Sequence, residues 1–519
     1  MMTSPKKRRK PAIGEVLIIV VITIIVVLSC IIFITRATPQ DELSIREDGT
    51  GPETGQGNES ISGLEHGDNP ELGEGNNTPV VEPASASPAD TISIVDMVSA
   101  NPGFPQLVSE LNEEASDHNA AGISLVVYDG FMGLFYTYQY GYADIAAGRP
   151  VDIDTKIRIA SLSKLVVAIC AMKLVETNRL DLDEDISDYL GYQVRSPHYP
   201  QIPITTRMLL QHTSSIHDST AINDSIMGNT QVSTQSLLGQ GSSYMTVRPG
   251  STFIYTNFGY SVLGAVIEFI ADMKLDAFAR EVLFAPMDID AAFQAVNLND
   301  STNLAILYDS GHGIVRSLEA QISNNRSGDI GQDQHLAQGS LLISAFDYAK
   351  ILAMLGNGGV FIGNRILSSE SVREIHQADV AGPGFMHGLS TRFSHGGNNE
   401  LDEANVSITI GDDEVDSLVV QSDERDDTEI WRYVTINGAA GPSDGFFWHT
   451  GSAHGVFAQY IYIAGSGTNE GVSEEYSSRG VVVITTGAST GRMENGMINV
   501  CNHLSEIAWR GLGFNEIDQ

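Results

Sequence analysis

The chain has 519 residues, an apolar fraction of 42% and a formal net charge of -36. That length allows one large domain or two ordinary ones with a sizeable core. The negative surface excludes a nucleic-acid partner, because phosphate binding requires a basic face. Three cysteines, Cys30, Cys170 and Cys501, build neither a disulfide framework nor a zinc spacing, so no metal and no cofactor is expected.

A basic tail, residues 1–12, contains Lys6-Lys7-Arg8-Arg9-Lys10 and precedes an apolar stretch from Val16 to Thr35 and then Arg36. About 20 apolar residues match the hydrocarbon thickness of a bilayer at 1.5 Å per residue. Residues 13–36 therefore read as a membrane-spanning helix with its basic end cytoplasmic, which places the bulk of the chain outside the cell. Two rivals are a nuclear address in the basic cluster and a lipoprotein site at Val27-Leu28-Ser29-Cys30. The first leaves the apolar span unexplained, and the second would strand Ile31 to Ile34 as an apolar tail.

Residues 37–90 are rich in Gly, Glu, Asn, Pro and Ser without apolar period, the composition of a disordered tether. Folded character starts near Ile92, and residues 91–519 show neither repeat nor low-complexity break, so they are read as one domain. Ile123–Tyr128 and Leu134–Tyr140 are β-rich runs around a Gly-containing turn, an antiparallel hairpin. Ser161 to Thr177 is apolar on all sides at helical spacing and belongs in a core. A second apolar helix is predicted over Tyr260–Met273. Strands return at Phe446–Thr450, Phe457–Ile463 and Val481–Thr486, before a closing helix from about Glu494 to Arg510. Strands, then helices, then strands predict an α+β layered domain.

Two acidic stretches carry no site in this reading. Asn398 to Glu429 is a solvated surface insertion around one alternating run, Val406–Ile410. The run from Asp181 to Asp185 opens like a calcium loop but has Ile186 where that loop needs glycine and Tyr192 at its twelfth position, so metal binding there is rejected.

Ser161-Leu162-Ser163-Lys164 fits S-x-x-K, and three-residue spacing on a helix puts hydroxyl and amine on one face. A serine hydroxyl needs such a neighbour, since alone it is a poor nucleophile. The pattern alone is weak, because Ser4 and Lys7 match it equally, and an isolated copy reads as a helix cap beside a snorkelling lysine. Context favours Ser161: it stands at the start of an apolar helix, where free N–H groups and the positive dipole end favour negative charge. Lysine is scarce after the apolar span, only Lys156, Lys164, Lys173, Lys274 and Lys350, and a half-buried Lys164 would have the lowered pKa of a base. Tyr255-Thr256-Asn257 precedes the second apolar helix, where Asn257 alone reads equally well as a cap. His449-Thr450-Gly451 ends a strand, where the glycine would let a substrate backbone approach the sheet edge.

The order S-x-x-K, Y-x-N, H-T-G resembles the serine β-lactamase and penicillin-binding-protein superfamily, particularly its class C β-lactamase-like branch. Connecting segments carry the same resemblance from about Ala121 onward: Gly141-Tyr142-Ala143-Asp144, Arg158-Ile159-Ala160-Ser161, Leu180-Asp181-Leu182-Asp183 and Leu209-Leu210-Gln211-His212-Thr213-Ser214. The resemblance implies a β-lactamase/transpeptidase-like fold, an antiparallel sheet flanked by helices plus a mostly helical subdomain. It implies Ser161 as acylated nucleophile, Lys164 and Tyr255 as proton-handling partners, and Asn257 as a group binding Lys164 and the substrate amide. By the same analogy the backbone N–H groups of Ser161 and Ser452 form an oxyanion hole, a device in which each donor contributes about 3 kcal/mol. His449, Thr450 and Gly451 would bind substrate.

Departures from the family pattern bear on substrate. His449 stands where most β-lactamases of the superfamily have Lys, which looks more like certain DD-carboxypeptidases and esterases. Ser215 replaces a usual glycine, Gln338-Gly339 stands for a common Gly-Gly pair, and no E-x-x-L-N element supplies a separate deacylating glutamate. The reading is a membrane-anchored extracytoplasmic serine hydrolase, DD-carboxypeptidase-like on cell-wall peptides. The alternatives are an esterase or β-lactamase of the same fold and a non-catalytic surface ligand-binding or sensor protein.

Overall fold

The computed structural model describes residues 104–130, 134–220, 222–223, 232–323, 328–333, 335–382, 385–395, 445–464, 478–491 and 497–512. The basic tail, the Val16–Thr35 segment, the tether reading and the acidic insertion lie outside the described residues. No described helix is long and apolar enough to cross a membrane.

Nine strands of the described residues form one antiparallel sheet. In chain order they are β1 (Gly122–Asp129), β2 (Leu134–Asp144), β3 (Arg149–Pro150), β4 (Val380–Gly382), β5 (Phe385–His387), β6 (Arg392–His395), β7 (Gly445–Ala453), β8 (Val456–Ile463) and β9 (Arg479–Thr486). Their spatial order is β4-β5-β6-β7-β8-β9-β1-β2-β3. The β1–β2 hairpin pairs Gly122 with Gly141 and Asp129 with Leu134, as the alternation around Gly130 predicts. The small edge strands β4 to β6 had no clear sequence signal, since each is three or four residues long.

Every residue of β1 is buried, so both faces of the sheet are covered. Ile123, Leu125 and Val127 face one apolar cluster, and Val126 and Tyr128 face the other, the period of two that a strand imposes. The first cluster is closed by helices α1 (Phe104–Asp117) and α5 (Asn499–Gly511), through Leu107, Leu111, Leu504 and Trp509. The other is larger and holds α2 (Ser163–Glu176), α3 (Asn257–Ala271) and α4 (Ala345–Gly356).

Helix α2 runs through the middle of this larger core. Val166, Val167, Ala168, Ile169, Cys170 and Ala171 are all fully buried, as the absence of a polar face predicted. Each such branched aliphatic side chain contributes about 1.5–3 kcal/mol by leaving water. The helix starts two residues later than predicted: Ala160–Leu162 form a 3-10 turn, and Leu162 is the N-cap position. Cys170 and Cys501 are buried free thiols. The acidic run is used structurally, with Asp183 paired to Arg207 and Asp185 both paired to Arg195 and capping the helix Ile186–Leu190.

Candidate active site

Ser161 is presented by a strained turn. Ala160 has φ +48, a left-handed conformation that a residue with a Cβ seldom adopts. The turn is fixed on both sides, since the Ser163 hydroxyl donates to Ala160 O at 2.6 Å and accepts from Leu341 N at 3.0 Å. From below, Tyr348 of α4 donates its hydroxyl to Leu162 O at 2.9 Å. Strain held by surrounding structure in this way is common where a side chain must be aimed.

One helical step on, Lys164 is fully buried rather than half-buried as its sequence setting suggested. Its Nζ donates to Ser161 Oγ at 3.2 Å, Asn257 Oδ1 at 2.9 Å and the Gln338 carbonyl at 2.6 Å. Three acceptors are the complement of an ammonium's three N–H bonds. The same atom lies 5.1 Å from the centre of the Tyr255 ring and 5.4 Å from that of Tyr260, so π faces help hold the charge. The departure at Gln338 is immaterial here, because Lys164 uses the backbone carbonyl.

Tyr255 completes the group, its hydroxyl 2.8 Å from Ser161 Oγ. Asn257 is the first residue of α3 and not its cap. Thr256 takes that place, accepting from Gly259 N. Both residues hang on Asp218, which the sequence did not single out. Its Oδ1 accepts from Thr256 Oγ1 at 2.9 Å and Phe258 N at 2.8 Å, and its Oδ2 from Asn257 N at 2.9 Å and Asn257 Nδ2 at 3.0 Å. A carboxylate there satisfies the free N–H groups of α3 and meets the positive end of its dipole. Because Asn257 Nδ2 is committed to Asp218, Oδ1 must face Lys164.

Asp218→Ala is therefore expected to free the Asn257 amide and lower kcat/KM by about 10²-fold, the scale of an ångström of misplacement. It also leaves buried donors without an acceptor, at about 1–3 kcal/mol each. Steady-state kinetics beside urea unfolding checks both, and unchanged kinetics with lost stability would reduce Asp218 to a structural residue.

His212 is a second residue whose place was not legible. It has φ +58, accepts from Thr256 N through Nδ1 at 3.2 Å, and lies against the Tyr255 ring at 4.4 Å between centroids. Ser215 has φ +64, which explains why glycine suits that position, and Ser tolerates it at a local cost.

His449 and Gly451 are brought to the other side of Ser161 by β7, which continues to Ala453 instead of ending at Thr450. Only Gly445–Trp448 of β7 pair with β6, so from His449 onward that edge of the strand faces the nucleophile turn. A Cβ on Gly451 would come within 2.5 Å of Ile159 O and 3.2 Å of Ser161 N, so glycine is required for the approach. Ser452 follows it and is exposed. Thr450 is buried, and its carbonyl accepts from His449 Nδ1 at 2.7 Å.

That bond puts the proton on Nδ1 and leaves His449 Nε2 as a buried lone pair without a hydrogen-bond partner among the described residues. Burial, then Arg392 and Lys164, hold the His449 pKa well below the ordinary histidine range. The ring centre stands 6.3 Å from that of Tyr255. The residue thus offers an acceptor where a lysine would offer a positive charge.

Four of the sequence-selected residues, Ser161, Lys164, Tyr255 and Asn257, share one hydrogen-bond network, and His449, Gly451 and Ser452 border it. A hydroxyl held between an amine and a phenol, beside a strand edge that β6 leaves unpaired, is equipped for acyl transfer.

Comparison with known proteins agrees with this geometry. The Beta-lactamase family model matches residues 104–497. Among relatives, "Protein flp" of Staphylococcus aureus is 26% identical over 188 residues, 36% of this chain and 37% of its own length. The D-alanyl-D-alanine-carboxypeptidase/endopeptidase AmpH of Escherichia coli is 32% identical over 119 residues, 22% of this chain and 30% of its own. These matches span only about a third of the relatives' lengths. A solved β-lactamase/D-alanine carboxypeptidase from Pseudomonas syringae shares the fold with a TM-score of 0.55 at 17% identity, covering 80% of this chain and all of that one. With a family model matched over more than half its length, the chain belongs to the Beta-lactamase family of serine hydrolases.

Proposed function

We propose that this chain hydrolyses an acyl bond through a covalent Ser161 ester. The observation that carries the reading is the position of Ser161 Oγ, 3.2 Å from Lys164 Nζ and 2.8 Å from Tyr255 Oη. Tyr255 Oη, acting as the base beside Lys164, takes the Ser161 proton as Oγ attacks the substrate carbonyl. The N–H groups of Ser161 and Ser452 receive the oxyanion. The proton then passes from Tyr255 to the leaving amine or alcohol. Water enters, gives a proton to Tyr255 as its oxygen attacks the ester carbonyl, and Tyr255 returns that proton to Ser161 Oγ as the acyl–Oγ bond breaks and the acid leaves.

The substrate class favoured by the reading is a D-alanyl-D-alanine-like peptide of the cell wall. Support comes from the AmpH likeness and from the edge of β7, where an extended peptide can add by main-chain hydrogen bonds. His449 Nε2 would accept from a substrate N–H or O–H. The second reading, ester hydrolysis, is favoured by the same residue, since neutral His449 gives no cation for a terminal carboxylate. A panel of D-Ala-D-Ala peptides, nitrocefin and short acyl esters separates them. Peptide turnover that disappears in Ser161→Ala is the expected result, and turnover of esters alone would overturn the peptide reading.

The Val16–Thr35 stretch behind its basic tail supports a single-pass anchor at the cell membrane, with residues 91–519 as an extracellular domain on a 37–90 tether. Resistance of the intact chain to alkaline carbonate extraction, together with protease access from outside the cell, tests this placement.

A further inference from the structure

On the sheet face away from Ser161, where α1 and α5 meet, three side chains of metal-ligating type converge. Glu114 lies on α1, His118 directly follows it, and His503 lies on α5. Their ligand atoms all fall within 4.8 Å of one another. Glu114 Oε1 is 3.0 Å from His118 Nε2 and 2.9 Å from His503 Nδ1, across 389 residues of sequence in the second case.

The hydrogen bonding around His118 makes this arrangement informative. Its Nδ1 lies 2.5 Å from the Ser489 carbonyl and must therefore carry the hydrogen. Ser489 in turn donates to the His118 carbonyl through its N–H at 2.7 Å and its hydroxyl at 3.0 Å, so the residue is pinned from both sides. In a neutral ring Nε2 is then a lone pair aimed at a carboxylate oxygen. Two acceptors at that distance repel, and the contact needs an added positive charge. An imidazole whose far nitrogen donates to a carbonyl is also the usual outer support of a metal-bound histidine.

We propose that Glu114, His118 and His503 bind one zinc ion, which ties the first described helix of the domain to the last. Two imidazoles and one carboxylate oxygen suit zinc, whereas calcium and magnesium favour all-oxygen sites. Bonds of about 2.0–2.2 Å require donor separations of about 3.4 Å in a tetrahedron, a few tenths more than the two Glu114–histidine distances present, with the two histidine nitrogens within 4.8 Å of each other. Water completes the coordination, since His503 is 47% exposed and the site is open to solvent. Such a site is independent of the Ser161 chemistry.

The test uses the full-length chain, stripped with chelator and dialysed against Zn(II), with bound metal measured by mass spectrometry. The expected result is one zinc per chain in the wild type and in Ser161→Ala. In His503→Ala, an exposed change with little demand on folding, affinity falls at least about tenfold. Zinc raises Tm in the wild type and not in this variant. Absence of bound zinc, or equal binding by His503→Ala and His118→Gln, would overturn the proposal. So would a wild-type Tm that added zinc leaves unchanged.

Discussion

Lys164→Met lowers kcat/KM by about 10³-fold or more while the chain stays folded. Methionine keeps the length and most of the volume of the side chain, so the packing against Tyr255 and Tyr260 survives. What disappears is the three-way donation to Ser161 Oγ, Asn257 Oδ1 and Gln338 O. Without the amine, Ser161 and Tyr255 lose the group that holds them in line for proton transfer, a step worth about 10²–10⁴-fold. Lys164→Arg does not rescue, because a planar five-donor fork cannot replace a compact ammonium in a fully buried slot. Kinetics beside a thermal melt decide the point. Activity within tenfold of wild type in a folded Lys164→Met would remove Lys164 from the chemistry.

Acid destabilises the domain well before its carboxylates titrate. His212, His387 and His449 are buried and His376 is half-buried, and desolvation is the first cause of the lowered pKa in each. His376 and His387 are pushed down to about 3. In the unfolded chain the same rings titrate near 6.5. Below that pH the unfolded state binds protons that the folded state refuses, so stability is fully present above about 6.5 and falls as pH drops toward about 3. Each ring contributes a slope of up to about 1.4 kcal/mol per pH unit. Four of them give up to about 5 kcal/mol per unit. Glu268, Asp276 and Asp347, all raised by burial, act in the opposite sense and soften the fall at lower pH. Urea unfolding between pH 7.5 and 5 should show the steep decline, reduced by about one ring's share in His376→Gln. A flat profile would mean that these rings are protonated in the folded state.

Much of the sheet was legible because its long strands alternate or run apolar: β1, β8 and β9 begin and end within two residues of their predicted bounds, and β2 starts as predicted but runs on from Tyr140 to Asp144. Helix α2 was legible for a related reason, since a segment with no polar face has nowhere to go but a core. Helix ends were harder. The 3-10 turn under Ser161 depends on Leu341, Tyr348 and the Ser163 hydroxyl, contacts that come from distant sequence. The same holds for Thr256, whose capping role is shared with Asp218 nearly forty positions earlier.

The candidate site divides along the same line. Residues that bear the chemistry stood in spaced motifs, but those that orient them did not. Asp218 follows His217 in a polar loop with no periodicity, and nothing local marks it as the acceptor of four hydrogen bonds. His212 belongs to a segment with family resemblance, yet its use as a support for Tyr255 and Thr256 appears only when the chain is folded. His449 was read as a change of charge. Its burial and its bond to the Thr450 carbonyl add that the change yields a fixed lone pair.

The measurement that bears most directly on the central claim is the intact mass of the chain after exposure to a fluorophosphonate or a penicillin. The wild type is expected to gain the mass of one acyl or phosphonyl group, located on Ser161 by peptide mapping, and Ser161→Ala to gain none. An unmodified wild type, or equal labelling of Ser161→Ala, would contradict the Ser161 mechanism.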